Sequence, residues 1–443
     1  MAIIEPERRT PVVAEADVVV LGGGPAGLFA AIAAARKGAS TLLLERYGFL
    51  GGMGTAAGVT SFCGLYANVH GRFERTARGL TDEFLDRLSR MDALNEPHSI
   101  MGQTLGQSYD NAAWKCAADD MAIAAGVQLR FHTLAVGATI DGGRITHVLI
   151  ETKSGRAAIG GRVFIDCSGD ADLAFWAGAP TEKGDEHGFI AYPTMMFRMG
   201  AVDDARALAS KPMLRGKLED AQRQGRTDLP RLSASFNPQP HAGEWRSNAT
   251  QISHEGHPVD GIAWLELSQG EIEGRRQIRA YFDFYRSEIP GFEKAYLLDI
   301  APQIGIRETR RLVGRHVIHE DEILGAADVA DPIGVNGWPV ERHVRGDVEW
   351  KFIPGRGYHQ MPYGALLTRK VANLLVAGRC ASATPVAQSS IRVSGTCFVM
   401  GQAGGTAAAL SLRAECDAIA LDPRVLAAEL AHDGVYFGDD CGG

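Results

Sequence analysis

The sequence predicts an α/β fold, a Rossmann-like nucleotide-binding domain interrupted by an inserted α+β domain. Three observations predict it. Residues 18–45 run as an apolar strand, a glycine turn, an alanine-rich helix and a second apolar strand ending in Glu45. From about Pro180 the chain is richer in charge, Pro, His and aromatic residues, and the βαβ rhythm stops. The rhythm returns at Ala372, where Asn373–Cys380 reads as strand and turn and residues 396–414 as a helix of small residues. The expected division is therefore 1–180, an insertion at 181–364, and 365–443, with the outer parts completing one sheet. The insertion is the natural place for a cap over whatever the outer parts bind.

The opening unit carries the most chemistry. Gly22, Gly24 and Gly27 follow a strand and open a helix, with the carboxylate of Glu45 18 positions after the last of them. That context is what a dinucleotide fingerprint requires. Gly22 allows the tight turn, Gly24 lets backbone approach a pyrophosphate, and Gly27 lets helix and strand pack closely. Pro25 and Ala26 begin the helix, whose unpaired N–H groups and partial positive charge suit phosphate. Glu45 can accept hydrogen bonds from ribose hydroxyls, and Arg46 beside it joins the cofactor candidates.

The remaining elements follow in order. Gly48–Gly58 is too glycine-rich for a regular helix and reads as a loop close to the ligand of the first turn. Residues 80–93 have apolar positions at helical spacing, with Thr81 or Asp82 as cap. Residues 94–108 look irregular, and 111–126 form a helix ending at Gly126. One or two strands follow from Val127, then a hairpin turn at 141–143, a returning strand at 144–155 and a further strand at 162–167. A short helix follows in 168–179. Within the insertion, helices are expected over 265–287 and Gly291–Gly314, a strand over 315–320, and loops over 325–357.

Composition sets bounds. A chain of 443 residues accommodates about two to three domains. A formal net charge of −8 argues against nonspecific nucleic-acid binding. No apolar run reaches the length of a spanning helix, and the first 15 residues, of mixed charge, lack a signal-peptide apolar region. A cytoplasmic protein without membrane attachment is the expectation, and a homo-oligomer stays open. The seven cysteines are dispersed, with no CxxC pair. They read as reduced thiols, with no metal or iron–sulfur site.

Three further segments decide between dinucleotides. They are Gly51-Gly52-Met53-Gly54-Thr55, then Phe164–Asp172, then Leu374–Arg379 with Ile391–Thr406. At these residues the chain resembles the FAD-dependent oxidoreductases of the glutathione-reductase-like, two-dinucleotide-fold class. It looks most like the family typified by the GGMGT loop, the GIRETRR motif at Gly305–Arg311 and the GQAGGTAAAL helix at 401–410. The likeness is strong at 17–60, 105–180, 300–315 and 360–412, and weak at 181–300. It implies FAD, with adenosine at the first βαβ unit and the flavin beneath the cap. It implies that Gly378, Arg379, Gly401 and Gln402 lie near the flavin, and Asp166 and Gly169 near the adenosine and pyrophosphate. Gly51, Gly52, Met53, Thr55 and Val136 complete the candidate contacts. The small-residue helix could also bring its N-terminus to the flavin edge that becomes negative on reduction.

Flavin would carry the redox step. No second full glycine fingerprint occurs between 100 and 380, which argues against a built-in NAD(P)H domain. A small-molecule substrate, a carboxylate or an amine, would reduce FAD directly. The electron acceptor would be oxygen, a quinone or a carrier protein. Arg307 could hold a substrate carboxylate or a cofactor phosphate. Two or three arginines in one helical turn could instead form a salt-bridge knot with Glu308. His359 could take a proton as hydride leaves, and Tyr363 could hydrogen-bond substrate or flavin. Arg392 could face the flavin or an anion. Cys63 and Cys380 fall near the predicted flavin loops. A covalent flavin link through either has no diagnostic spacing, and both read as core thiols. An electron-transfer subunit of a larger redox complex, or a protein keeping FAD structurally, are the alternative readings.

Overall fold

The computed structural model describes residues 3–4 and 6–438, so Cys441 lies outside the described residues. Seven strands form the main sheet. Val12–Leu21 pairs in parallel with Thr41–Leu44 on one side and Gly155–Asp166 on the other. Gln128–Arg130 extends the sheet beyond Thr41–Leu44, again in parallel. The long strand Gly155–Asp166 is shared. Its first half pairs with the antiparallel hairpin Leu134–Asp141/Arg144–Thr152, and its last three residues pair in parallel with Leu374–Val376. The continuous apolar runs of these strands match their burial on both faces, since Val18, Val19, Val20, Leu42, Leu43 and Leu44 are all fully buried.

Register positions the site. Leu21 stands opposite both Leu44 and Asp166, and Asp166 stands opposite Val376. Four strands thus end level, and the turns that follow them share one edge of the sheet. Ligands of open α/β sheets bind outside such carboxyl ends.

Two helices from opposite ends of the chain cover one face. Pro25–Arg36 crosses Ser394–Arg413, with Phe29 stacked on Phe398 at 4.1 Å between ring centroids. Their backbones nearly touch. A Cβ at Gly401 would stand 2.2 Å from the Ala26 carbonyl oxygen, and one at Gly405 2.0 Å from that of Ala30. Glycines four apart face alanines four apart, so small residues set the spacing of the pair. Packing of this kind is what the small-residue stretch encodes.

A second apolar core lies between Met195 and Ile306. It joins the antiparallel sheet of Ser235–Pro238, Trp245–Asn248, Phe197–Gly200 and Tyr296–Ile300 to the helix Trp264–Glu288. Ile318, Ile333, Met361 and Leu366 pack instead with the first core.

Several local expectations change. Gly291–Gly314 is not a helix. Tyr296–Ile300 pairs with Phe197–Gly200, Arg310–Leu312 pairs with Thr181–Lys183, and Pro302 and Gly305 interrupt any helical run between them. The expected strand at 315–320 reduces to one bridge, Ile318 to Ala383, because Arg315 and His316 donate to the loop carbonyls of Leu367 and Gly364. Residues 94–108 contain strands His98–Ile100 and Thr104–Ser108, and the Gly48–Gly58 loop holds one helical turn, Met53–Ala56. Residues 325–357 contain Pro332–Asn336 and the hairpin Val340–Val344/Asp347–Lys351. The helix Leu80–Arg90 starts after Gly79, and Asp82 reaches back to the Gly79 N–H at 2.9 Å, so Asp82 closes the helix end from its third position.

Candidate functional site

The level strand ends open into one large cleft. One wall is the first glycine turn. Gly22 has φ of +94°, and a Cβ there would lie 2.4 Å from the Cys167 carbonyl oxygen. A Cβ on Gly27 would lie 1.7 Å from the Gly22 carbonyl oxygen, so Gly27 serves close packing and does not line the cleft. Gly24 differs from both. It has φ of −70°, and a Cβ there would meet only the Gly52 Cα at 3.7 Å, so its missing side chain leaves open space. No side chain caps the helix that starts at Pro25, so its first N–H groups face that space unpaired.

Glu45 is 5 % exposed and lines the cleft. Its two oxygens accept from Gly23 N and Tyr47 N at 2.8 and 2.9 Å, leaving further lone pairs on each. Burial raises its pKa. Open space at Gly24, an uncapped helix end and a buried carboxylate fit a dinucleotide laid across the turn.

The other turns of this edge form the adjoining wall. Gly169, Asp170, Gly378 and Arg379 line the cleft. Arg379 pairs with Asp170 at 2.8 Å and donates to Thr309 Oγ1 at 3.1 Å. Asp166 is fully buried, outside the lining, and accepts from Ser168 N and Ala174 N, so it shapes the turn that presents Gly169. Pro25, Ala26, Arg46, Gly52 and Met53 line the cleft, whereas Gly51 and Thr55 support the loop, Thr55 Oγ1 donating to Leu50 O. Val136 lies outside the lining, and its neighbours Thr133, Leu134 and Ala135 are in it. Gly401 packs on Ala26, and Gln402 Oε1 accepts from Leu80 N, both away from the cleft.

The GIRETRR segment is extended, not helical. Arg307 lines the cleft and donates to Tyr192 O at 3.0 Å and Thr194 Oγ1 at 2.6 Å. Glu308 pairs with Arg311 at 2.6 Å, both buried, and Arg310 pairs with Asp172. The knot with Glu308 is thus present, while Arg307 stands apart from it. Burial holds the Arg307 guanidinium well below the usual arginine range, reinforced by the charges of Arg392 and Arg231.

Arg392 also lines the cleft, and its Nε is buried without a partner. Cys63 lines the cleft too, and burial pushes its thiol up to about 12. Cys380 is fully buried, and burial raises its pKa as well. Neither thiol carries the lowered pKa of a reactive cysteine.

The cleft includes residues that sequence reasoning missed: Arg246, Glu341 and His343. Glu341 accepts from the Trp338 indole at 3.0 Å and meets His343 Nε2 at 3.0 Å. Burial opposes ionisation of Glu341, but the His343 hydrogen bond and the Arg392 and Arg307 charges outweigh it and take its pKa to about 2. Burial and the Arg307 charge keep His343 neutral. The pair therefore presents an ionised carboxylate and a neutral imidazole at the cleft wall, joined by one hydrogen bond. One signal could have found it. Residues two apart on a strand share a face, and reading 325–357 as loop concealed that.

His359 and Tyr363 do not line the cleft. Tyr363 is 1 % exposed and donates to Ala418 O at 2.9 Å. His359 is 1 % exposed, with ring partners Asn336 and Gln360 O. Burial takes its pKa to about 4. An unfolded histidine titrates near 6.5, so the unfolded chain binds the proton first. His359 therefore contributes stability above about pH 6.5 that is lost as pH falls towards 4. The loss is about 3 kcal/mol. Denaturant titrations across that window are expected to show a shallower acid slope for His359→Gln by about this amount. Parallel slopes would refute the assignment.

Among the described residues, no helix is long and apolar enough to cross a membrane, and no group of three or more His, Cys, Asp or Glu could hold a metal ion.

The family model described as FAD dependent oxidoreductase matches residues 17–430. No curated protein sequence matches the chain. Among solved structures, a geranylgeranyl bacteriochlorophyll reductase-like protein from Thermoplasma acidophilum is similar at 14 % identity and TM-score 0.48, over 95 % of this chain and 83 % of that one. The p-nitrophenol 4-monooxygenase PnpA from Pseudomonas putida DLL-E4 is similar at 11 % identity and TM-score 0.49, over 95 % and 84 %. The myxobacterial chondrochloren halogenase CndH is similar at 14 % identity and TM-score 0.49, over 94 % and 78 %.

Proposed function

Because this chain belongs to the family of FAD-dependent oxidoreductases, we propose that it oxidises a small organic substrate held at the Arg307 end of its cleft. FAD supplies the chemistry when bound, accepting the hydride that the substrate gives up. In this reading Gly22, Gly24 and the start of the Pro25 helix hold the pyrophosphate, and Glu45 holds the adenosine ribose. Gly378 and Arg379 border the flavin. The part of the insertion built on the Met195–Ile306 core is the cap, with residues 181–364 as the whole insertion. The supporting observation is that residues of both cores, Ala26, Phe62 and Cys397 from one and Ile306 from the other, with Met53 packed against the second, line a single cleft. The protein is then an oxidase or dehydrogenase whose acceptor is oxygen, a quinone or a carrier protein.

An anaerobic screen of small carboxylates and amines, followed by bleaching of the flavin absorbance, tests this. At least one compound is expected to bleach the holoprotein. A holoprotein that none of them bleaches would favour a structural flavin. In the same assay Arg307→Ala is expected to retain FAD and to need about 10-fold more substrate for half-maximal bleaching, the loss of one charge-assisted hydrogen bond. Loss of FAD with unchanged half-saturation in the residual holoprotein would assign Arg307 to the cofactor.

A further inference from the structure

Charge is divided unevenly along the cleft. The glycine-turn end is lined by Glu45, Asp170 and Asp172 against Arg46 and Arg379. The opposite end is lined by Arg246, Arg307 and Arg392 against Glu341 alone. That carboxylate is already engaged by Trp338 and His343. Arg307 has its oxygen partners in Tyr192 and Thr194. Arg246 has none. It lies on the strand Trp245–Asn248, is 5 % exposed, and its Nε is buried without a partner. Its one side-chain contact of hydrogen-bond type is Nη1 to the Met196 sulfur at 4.0 Å.

A buried guanidinium without an anion is strongly unfavourable. The surroundings worsen it, because Arg231 adds its own positive charge nearby. Cys63 lies within the electrostatic reach of both Arg246 and Arg392, and all three line the same cleft; Arg392 keeps one partner, its Nη2 donating to Glu341 O at 3.3 Å, while its Nε has none. Val59, Phe62 and Met196 supply apolar lining in the same cleft.

We propose that Arg246, with Arg392 lining the same cleft, is the receptor for a carboxylate on the substrate, so that the oxidised compound is an organic acid with an apolar body and not an amine. This rests on the reading of the cleft as a substrate site next to FAD. The planar fork of arginine matches a carboxylate with two parallel hydrogen bonds. The alternative source of an anion is the phosphate of FAD itself, and the test separates the two.

The probe is benzoate, with benzylamine as its cationic counterpart and inorganic phosphate as a third arm, titrated into holoprotein. Readouts are the unfolding temperature and the flavin absorbance spectrum. Benzoate is expected to raise the former and perturb the latter, and benzylamine to do neither. Arg246→Met is expected to keep its FAD content and to weaken benzoate about 30-fold, while Arg246→Lys, which keeps charge but not the fork, retains part of the response. Without benzoate, Arg246→Met is expected to unfold no lower than the wild type, because the apolar side chain removes an unpaired buried charge. The proposal is overturned by wild-type protein indifferent to benzoate, or by a tighter response to phosphate or benzylamine. It is equally overturned by Arg246→Met that binds benzoate as the wild type does or loses FAD instead. A wild type carrying no flavin would end the oxidoreductase reading separately, and the benzoate response would still be read from the unfolding temperature.

Discussion

Gly24→Val is expected to fold and to lose FAD. Gly24 has φ of −70° and ψ of −175°, extended backbone that valine adopts without strain. A Cβ there makes only an ordinary contact with Gly52, at 3.7 Å. The fold therefore does not need glycine at this position. The space beside the uncapped helix start does. Branched methyl groups would stand where the pyrophosphate, in the proposed placement, would approach the unpaired N–H groups at the helix start. Losing two charge-assisted hydrogen bonds weakens binding by about 100-fold or more. Circular dichroism should match the wild type while the protein elutes colourless and FAD titrations show the weakened affinity. Unchanged flavin content would disprove the placement of the phosphates.

Gly405→Ala is expected to be among the most damaging single methyl groups that can be added to this chain, and Gly404→Ala, next to it, to be harmless. At Gly405 the new Cβ would lie 2.0 Å from the Ala30 carbonyl oxygen, a backbone atom within a helix that cannot step aside alone. The two helices must separate, opening the stacked Phe29–Phe398 contact with them. Overpacking of this kind costs about 3 kcal/mol or more, a large share of the 5–15 kcal/mol that typically holds a domain. At Gly404 the nearest atoms are side-chain carbons of Ala377 and Ile165, both at 3.9 Å. There the methyl fills ordinary contact space, and alanine is the better helix former by about 1 kcal/mol. Thermal unfolding of the two variants should shift in opposite directions. Equal shifts would refute the described helix spacing.

The site divides in how far the chain revealed it. The glycine-turn end was legible because its chemistry is local. Gly22, Gly24, Gly27 and Glu45 sit in one continuous strand–turn–helix–strand segment whose periodicity can be read directly. Arg307 was legible through the GIRETRR motif, Arg379 only through the family resemblance, and Arg392 through its place between a strand-turn and the small-residue helix. Arg246 and Glu341 were not, since each lies on a short strand of four or five residues inside a stretch with no clear periodicity. Trp245–Asn248 pairs with Ser235–Pro238 and Phe197–Gly200, and only that pairing turns Arg246 inward. His359 and Tyr363 were misleading for the opposite reason. They fall where the chain returns from the insertion to the sheet, but their side chains satisfy Asn336, Gln360 and Ala418 inside the core. Small residues at 401–405 suggested cofactor contact, yet their size is already required by the backbone of Pro25–Arg36.

The crossing of Pro25–Arg36 with Ser394–Arg413 also sets an order of events at the ribosome. The first helix emerges with an alanine face whose partner is encoded some 358 residues later. At about 5–20 residues per second, that face waits roughly 20–70 s for its cover. The strand Leu374–Val376, which completes the parallel sheet beside Phe164–Asp166, arrives almost as late. Contacts of such long sequence separation close slowly. The glycine turn is therefore translated first, but the wall opposite it is among the last parts of the chain to leave the tunnel. A nascent chain interrupted before residue 394 would carry the whole dinucleotide fingerprint and still lack the helix that holds it in place.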